Sequence, residues 1–371
     1  MSKTLQDYAT LINDTIQSNE INHYITTDNM CQNLGGIDTF KSINIPQGKV
    51  RSFQKDDVLL SNIRLYFRKV YRAKQKGGCS SDVLVFRAKH IDSATLFAIL
   101  SSQIFTDYAC SGSQGSKMPR GNKTHMMDFK IPTINFIIAK IFNSIQNKIE
   151  NNHKINELLH KILELLYEQY FVRFDFLDEN NKPYQTSGGK MKFSKELNRL
   201  IPNDFEVKTL GELTQLKVGN KNANHSSNQG KYPFFTCSNN PLRCETYQFE
   251  GKHIIISGNG NFYVTHYDGK FDAYQRTYVV NPNNPNHYVL IYLFVKSYTN
   301  YLKLQSRGSI IKFITKSDIE NIKIVLPNLK TYAKWNNVLK MIENNNQSTQ
   351  TLTALRDFLL PLLLTQQIKP Q

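Results

Sequence analysis

The chain is short of acid: in its 371 residues, 30 Asp and Glu stand against 46 Lys and Arg, a formal net charge of +16. Such an imbalance favours polyanions, chiefly through release of counterions condensed on nucleic acid. Cysteine is also scarce. The five (Cys31, Cys79, Cys110, Cys237, Cys244) are scattered, odd in number and contain no CxxC pair. This argues against a disulfide framework or a zinc site and leaves idle thiols in a reduced, cytoplasmic compartment. The start, MSKTLQDYAT, has no apolar signal segment, and no apolar run approaches the ~18 residues that a membrane span needs, so a cytoplasmic protein with no membrane partner is expected.

Catalytic signatures are missing as well. Without a PP dipeptide the chain cannot form the [DNS]PP[YFW] loop with which adenine methyltransferases hold an extruded base, and GxxxxGK[ST], HExxH and GxSxG do not occur. Ser257-Gly258-Asn259-Gly260-Asn261-Phe262 follows an apolar strand in the manner of a nucleotide turn, but its third glycine is missing and no helix pattern follows. A turn or reading loop, with Gly and Asn tolerating positive φ, fits it better. His23, His90, His253 and His266 show no ligand spacing, and no carboxylate cluster suggests a nuclease. The expectation is a chain with no catalytic residue and no metal, whose chemistry lives on partners.

What is present is enough to bury real cores, with 40% apolar and 20% charged residues over a length that fits two or three domains. The chain also repeats itself. Lys3-Thr4-Leu5 echoes Lys208-Thr209-Leu210, Asp57 to Asn62 parallels His253 to Gly258, and Gly77 to Val85 loosely matches Ala273 to Val280. Gly115-Ser116 then parallels Gly308-Ser309, Ile131-Pro132 parallels Leu326-Pro327, and Ile149 to Asn152 parallels Ile342 to Asn345. Anchors at residues 4, 61, 115, 132 and 149 recur at offsets of 205, 196, 193, 195 and 193. Matches in one order with so little drift describe a duplicated unit of one globular domain and one helix.

Each globular part reads as short strands (Val58 to Leu60, Val83 to Phe86, His253 to Ser257, Thr277 to Val280, Ile322 to Val325), with a helical stretch at Ser93 to Tyr108 and at Asn286 to Leu304. After Pro132 an apolar stripe runs through Ile134, Ile138, Ile141, Ile145, Ile149, Ile155, Leu159, Ile162, Leu166 and Tyr170, a helix of roughly 60 Å. A second starts near Tyr332 and carries Trp335, Val338, Met341, Ile342, Leu352, Leu355, Leu359 and Leu363. Pro361 should kink it or end its regular part. Each stripe is too long for one domain, so the helices are expected to pair with each other, or like-facing stripes to recruit a partner protein, with Ile138, Ile145, Ile149, Leu159, Ile162, Leu166, Leu352, Leu355 and Leu359 as the residues that pack on helix or partner. Antiparallel pairing would place the domains at opposite ends about a pseudo-two-fold axis, as suits two separated half-sites on a duplex.

Particular strings then carry a family resemblance. Tyr167 to Phe176 with Lys182 to Met191 resembles the central conserved stretch of type I restriction-modification specificity (S) subunits. Leu355-Arg356-Asp357-Phe358-Leu359-Leu360-Pro361 is similar to the end of their second conserved helix. Tyr24 to Met30, Ser61-Asn62-Ile63-Arg64, Gly78 to Asp82 and Lys117-Met118-Pro119-Arg120-Gly121 resemble one class of their target-recognition domains.

The resemblance implies an α+β fold in which two mostly-β target-recognition domains (1–132 and 203–328) are separated by two long antiparallel helices (133–202 with the central region, and 329–371). It also implies a non-catalytic subunit that reads a bipartite site on double-stranded DNA. Two methyltransferase subunits would carry S-adenosylmethionine and act on adenine N6, and restriction subunits, when present, would use ATP and Mg, so no cofactor is expected in this chain. The second domain has Ser257-Gly258-Asn259-Gly260 and Arg307-Gly308-Ser309 where the first has SNIR and KMPRG, a divergence that suits different half-sites.

For contacts to DNA, loops that join planar or amide donors to flexible glycine are favoured, because Arg and Lys pair with guanine O6/N7 and Asn and Gln with adenine N6/N7. They single out Asn62, Arg64, Tyr66, Lys117, Arg120 and Lys123 in the first domain. In the second they single out Lys221, Asn222, Asn259, Asn261, Arg307 and Lys312. For any of these cations, the alternative is a solvated face or a phosphate contact that positions without specifying. Two other readings stay open: the DNA-reading part of a single-chain, type II-like modification enzyme, and a coiled-coil protein with no role on nucleic acid.

Overall fold

The computed structural model describes residues 3–38, 43–131, 136–227, 229–238, 240–308, 311–327, 332 and 334–365, without the side chains of 136–138 and 362–365. Pro132, Ile134 and Ser309, and the side chains of Ile138 and Leu363, thus lie outside the described residues. The chain divides into two compact units, one of residues 1–155 with 344–371 and the other of residues 156–343.

In the first unit, strands β1 (Ala9–Ile12), β5 (Val58–Ser61), β6 (Val70–Arg72) and β8 (Val83–Ala88) form an antiparallel sheet in the order β1-β8-β5-β6. Every residue of the apolar run β5 is buried, as expected of a central strand. A second sheet has the order β2-β4-β7-β3, from Thr15–Gln17, Lys49–Phe53, Gly77–Cys79 and Tyr24–Ile25, with β3 and β7 parallel. Short helices α1 (Leu5–Tyr8) and α4 (Lys123–Met127) flank the sheets.

The helix expected over Ser93 to Tyr108 is instead two, α2 (Ser93–Leu100) and α3 (Gln103–Ser111). The break has a local cause. Ser102 restarts the chain as an N-cap, its hydroxyl accepting from Phe105 N–H at 3.1 Å. The core joins Leu60, Leu84, Phe86, Phe97 and Leu100 to Phe142 and Leu360 from the two long helices. Burying each such side chain contributes roughly 1.5–3 kcal/mol.

The second unit repeats this plan. β12 (Thr214–Val218), β15 (Lys252–Ser257), β16 (Val264–Asp268) and β18 (Thr277–Pro282) form an antiparallel sheet ordered β12-β18-β15-β16, which is β1-β8-β5-β6 again. A second sheet combines β13 (Tyr232–Phe235), β14 (Leu242–Cys244) and β17 (Asp272–Ala273), where β13 and β17 are parallel just as β3 and β7 are. Two-stranded pairs β9–β10 (Met191–Ser194, Arg199–Pro202) and β11–β19 (Glu206–Thr209, Lys323–Leu326) complete it. Helices α6 (Leu210–Leu213), α7 (Tyr288–Gln305) and α8 (Lys316–Glu320) take the places of α1, α2–α3 and α4. Even the caps recur: Thr4 N–H donates to Asp7 at 2.7 Å, and Thr209 N–H to Glu212 at 2.6 Å.

The long helices are α5 (Phe136–Tyr167), extended by a π-helical turn over Glu168–Val172, and α9 (Trp335–Thr365). Each unit takes one stretch of both. In the first unit Gln146 meets Arg356 and Asn152 meets Thr349; in the second Asn156 meets Ile342 and Tyr170 packs edge-on against Trp335. One number rises as the other falls, so in both units the helices run antiparallel.

Their seam is more polar than the stripe suggested. Gln146 (1% exposed) and Arg356 (1%) are buried in it. Arg356 Nη1 donates to Gln146 Oε1 at 3.0 Å, and Asn152 Nδ2 to Thr349 Oγ1 at 3.1 Å. Ile145 and Ile149 are buried, and Leu159, Leu166, Leu352 and Leu359 are half-buried. Ile162 (46% exposed) and Leu355 (44%) face outward, away from this seam. The reason is that α5 carries two apolar faces, and Ile162 belongs, with Leu158 and Leu165, to the outer one. Nor does Pro361 end α9, which runs on to Thr365. A missing N–H removes one rung of the ladder, while buried Leu360 holds this turn against the core of the first unit.

Candidate nucleic-acid interface

In the first unit the ends of β5 and β8 are stitched to the loop that follows α3. Asn62 N–H donates to Asp82 O at 2.8 Å and Gly121 N–H to Asn62 O at 3.1 Å. Arg64 N–H donates to Pro119 O at 2.9 Å, while Gln114 and Arg120 exchange backbone bonds at 2.9 and 2.8 Å. Gly121 permits this crossing, because a Cβ there would lie 2.0 Å from Met126 Cε and 3.0 Å from Asn62 Oδ1.

The second unit builds the same junction from other residues. Gly258 N–H donates to Arg276 O at 2.7 Å, Gly260 N–H to Lys312 O at 2.8 Å and Ile314 N–H to Gly258 O at 2.9 Å. Arg307 and Phe313 exchange bonds at 3.0 and 2.9 Å. Asn62, Asp82, Gln114 and Arg120 therefore correspond to Gly258, Arg276, Arg307 and Phe313. Gly308 (φ +99°) corresponds to Gly115 (φ +97°), both in the left-handed region that favours glycine.

Most of the expected contact residues converge on these junctions. Arg64 sits at φ 51°, a strained setting for a side chain, and its guanidinium lies 6.0 Å over the Phe67 ring with Nη2 3.4 Å from Lys117 O. Tyr66 is 53% exposed beside it. Arg120 is exposed and held by Asp82, with Nε to Oδ1 at 3.2 Å and Nη2 to Oδ2 at 3.4 Å. Lys117 is exposed, and Lys123 opens α4 just past Gly121.

Asn62 differs from the expectation of an open reader. It is buried, because its backbone anchors the crossing, and its Oδ1 has no hydrogen-bond partner.

In the second unit Asn259 pairs with Phe313 and likewise leaves its shielded Oδ1 without a partner, while Lys312 is exposed. Asn261 Nδ2 donates to the Tyr263 hydroxyl at 3.1 Å. Arg307 is exposed and steadied by Asp318 at 3.2 Å. Burial raises the Asp318 carboxyl, but hydrogen bonds from Thr315 and the Arg307 charge outweigh it and hold the group below the ordinary range. Lys221 and Asn222 join from the side: Gln275 N–H donates to Lys221 O at 2.9 Å, next to Arg276.

Three features escaped the sequence reading: the carboxylates Asp82 and Asp318 that orient arginines, and the exposed pair Gln275-Arg276. The last was reachable, since the repeat places Arg276 opposite Asp82. The result is two sets of cationic and amide donors on glycine-bearing loops, the donor types that read guanine and adenine edges. Among the described residues no helix is long and apolar enough to cross a membrane.

Residues 202–355 match the family described as "Type I restriction modification DNA specificity domain". The specificity subunit of the type I restriction enzyme EcoDI, from Escherichia coli, is 38% identical over 132 residues, which are 34% of this chain and 28% of that protein. This chain thus matches under a third of that relative's length. The specificity subunit of MjaIX, from Methanocaldococcus jannaschii, is 24% identical over 301 residues, 72% of this chain and 67% of its own. In fold, the crystal structure of the type I S subunit from M. genitalium aligns over 98% of this chain and 96% of its own, with a TM-score of 0.62 at 16% identity. The matched segment holds one copy of a fold that the other half of the chain repeats, and it resembles the DNA specificity domain of type I restriction-modification systems.

Proposed function

We propose that this chain is the DNA-recognition subunit of a type I restriction-modification complex, reading a bipartite target and positioning the subunits that act on it. The observation that carries this reading is the repeated junction. One backbone scaffold presents Arg64, Lys117 and Arg120 in one unit and Arg276, Arg307 and Lys312 in the other. Such loops present donors to base edges in the major groove, and different side chains on equal scaffolds read different half-sites.

The subunit itself is non-catalytic. Two adenine-N6 methyltransferase subunits supply S-adenosylmethionine, restriction subunits supply ATP and Mg when present, and the assembly works in the cytoplasm. The outer face of α5 supports docking of such partners, since Leu158 (59% exposed), Ile162 and Leu165 (52%) recur there at helical spacing.

The test is co-expression with the methyltransferase encoded beside it, followed by single-molecule sequencing of host DNA for N6-methyladenine. A split motif with a fixed gap, methylated on both strands, is expected. Methylation at an uninterrupted site would replace this reading with the DNA-reading part of a single-chain modification enzyme.

A further inference from the structure

We propose that His225, Cys244 and Asp272 form a binding site for a divalent transition metal, zinc above all, inside the second unit. One ligating atom from each lies within 4.8 Å of the other two. The three come from separate pieces of chain: the short turn Ala223–His225, the last residue of β14 and the first of β17. Nothing in their spacing resembles a zinc motif, which is why the sequence suggested idle thiols and no metal. Only the fold brings them together.

The donor set has the character of a zinc site. Cys244 and Asp272 are both 0% exposed, and the His225 side chain, 25% exposed, forms the mouth. His225 Nε2 lies 3.1 Å from Asp272 Oδ2, and the Thr246 hydroxyl lies 3.0 Å from the former and 2.5 Å from the latter. Tetrahedral zinc, with bonds of about 2.0–2.3 Å, places its ligands roughly 3.2–3.8 Å apart. The imidazole and carboxylate already stand near that spacing, and the thiol needs a shift of about 1 Å at most.

The competing account is a His–Thr–Asp hydrogen-bonded triangle beside an inert thiol. It leaves a loose end: Asp272 Oδ1 is buried with no hydrogen-bond partner. An unsatisfied oxygen on a wholly buried carboxylate is costly, and a cation would supply what it lacks.

Burial first, and then the charge of Asp272, hold the Cys244 thiol above its ordinary range. Metal therefore enters by displacing a proton: the S–H bond breaks, a metal–thiolate bond forms, and one proton leaves to solvent. Once bound, the ion would tie the turn after Lys221 and Asn222 to the sheet of β13, β14 and β17.

The experiment uses the full chain, stripped with a chelator and titrated with cobalt(II) and then zinc(II). One equivalent of cobalt should produce a thiolate-to-cobalt charge-transfer band, which zinc abolishes. The band should vanish in Cys244→Ser and persist in Cys237→Ser. His225→Gln, altered at the exposed mouth where folding tolerates change, should bind cobalt more than about tenfold more weakly. No band in the wild-type chain, or a band that survives Cys244→Ser, overturns the proposal. Neither readout needs DNA, so failure here leaves the recognition reading standing.

Discussion

Replacing Gln146 by Met isolates the polar seam between the long helices. Gln146 Oε1 accepts from Arg356 Nη1 at 3.0 Å, with both residues 1% exposed, and its amide also donates to Leu34 O. Asp357 Oδ1 stays 3.0 Å from Arg356 Nη2, but that carboxylate is half-exposed and its hold is weakened by solvent. Gln146→Met therefore leaves a buried guanidinium without its neutral acceptor, at a cost of about 2–3 kcal/mol.

Arg356→Met leaves only one uncharged oxygen unpaired and should cost about 1 kcal/mol, apart from packing. The double variant exchanges the whole polar contact for thioethers of similar length and should lose less than the sum of the singles by about 1–2 kcal/mol. Calorimetry resolves this if the units unfold separately. The transition of the unit containing both residues should fall by roughly 5–10 °C in Gln146→Met, at about 2–4 °C per kcal/mol for a unit of this size, while the other stays put. A shift under about 1 °C in that variant, or strictly additive losses, would refute the reasoning.

The residues on which the proposed function rests should separate by role. Arg307→Ala should relax one half-site by about 1–3 kcal/mol of discrimination and leave the other intact; equal loss at both half-sites in the methylated motif would count against two independent readers. Leu158→Glu with Leu165→Glu should leave thermal stability unchanged, since both are exposed, yet abolish co-elution with the methyltransferase subunit on a sizing column.

Acid should also weaken the second unit through His266. Burial first, then the charges of His160, Lys252 and Lys296, bring this imidazole down from 6.5 to about 3. Glu343 lies 3.6 Å away but is already engaged by Lys252 at 2.9 Å. Below about pH 6.5 the unfolded chain binds a proton that the folded chain refuses, so stability falls with pH, by about 2 kcal/mol at pH 5. His266→Gln should lose markedly less between pH 7 and pH 5 in chemical denaturation; an unchanged loss would refute the assignment.

The sequence revealed repetition best, because equivalent turns need equivalent residues. The caps at Thr4 and Thr209 and the glycines at 115 and 308 are local necessities and mark the repeat directly. The loops of the two junctions were legible for the same reason: glycine beside Arg, Lys and Asn is a local signal.

What could not be read depends on tertiary company. The stripe of α5 could not reveal that Gln146 and Asn156 face inward while Ile162 faces out, since two apolar faces on one helix give the same steps of three and four. The burial of Asn62, whose backbone anchors Asp82 and Gly121, was out of reach in the same way. Likewise His225, Cys244 and Asp272 meet only when three strands and a turn are assembled.

The division of the chain also has a consequence for synthesis. The unit of residues 156–343 is one continuous stretch, whereas the other needs residues 1–155 and 344–371 together. During translation, at ~5–20 residues per second, the continuous unit can complete its core while the first-made domain still waits for Arg356 and Leu360. Of the two units, the one whose residues are made first is thus the later to be finished. A chain truncated after Glu343 should retain a folded second unit and leave Phe142 and Gln146 uncovered, a species for chaperones and proteases to find. Completion of the first unit therefore waits until residues 344–371 have followed the second unit out of the ribosome.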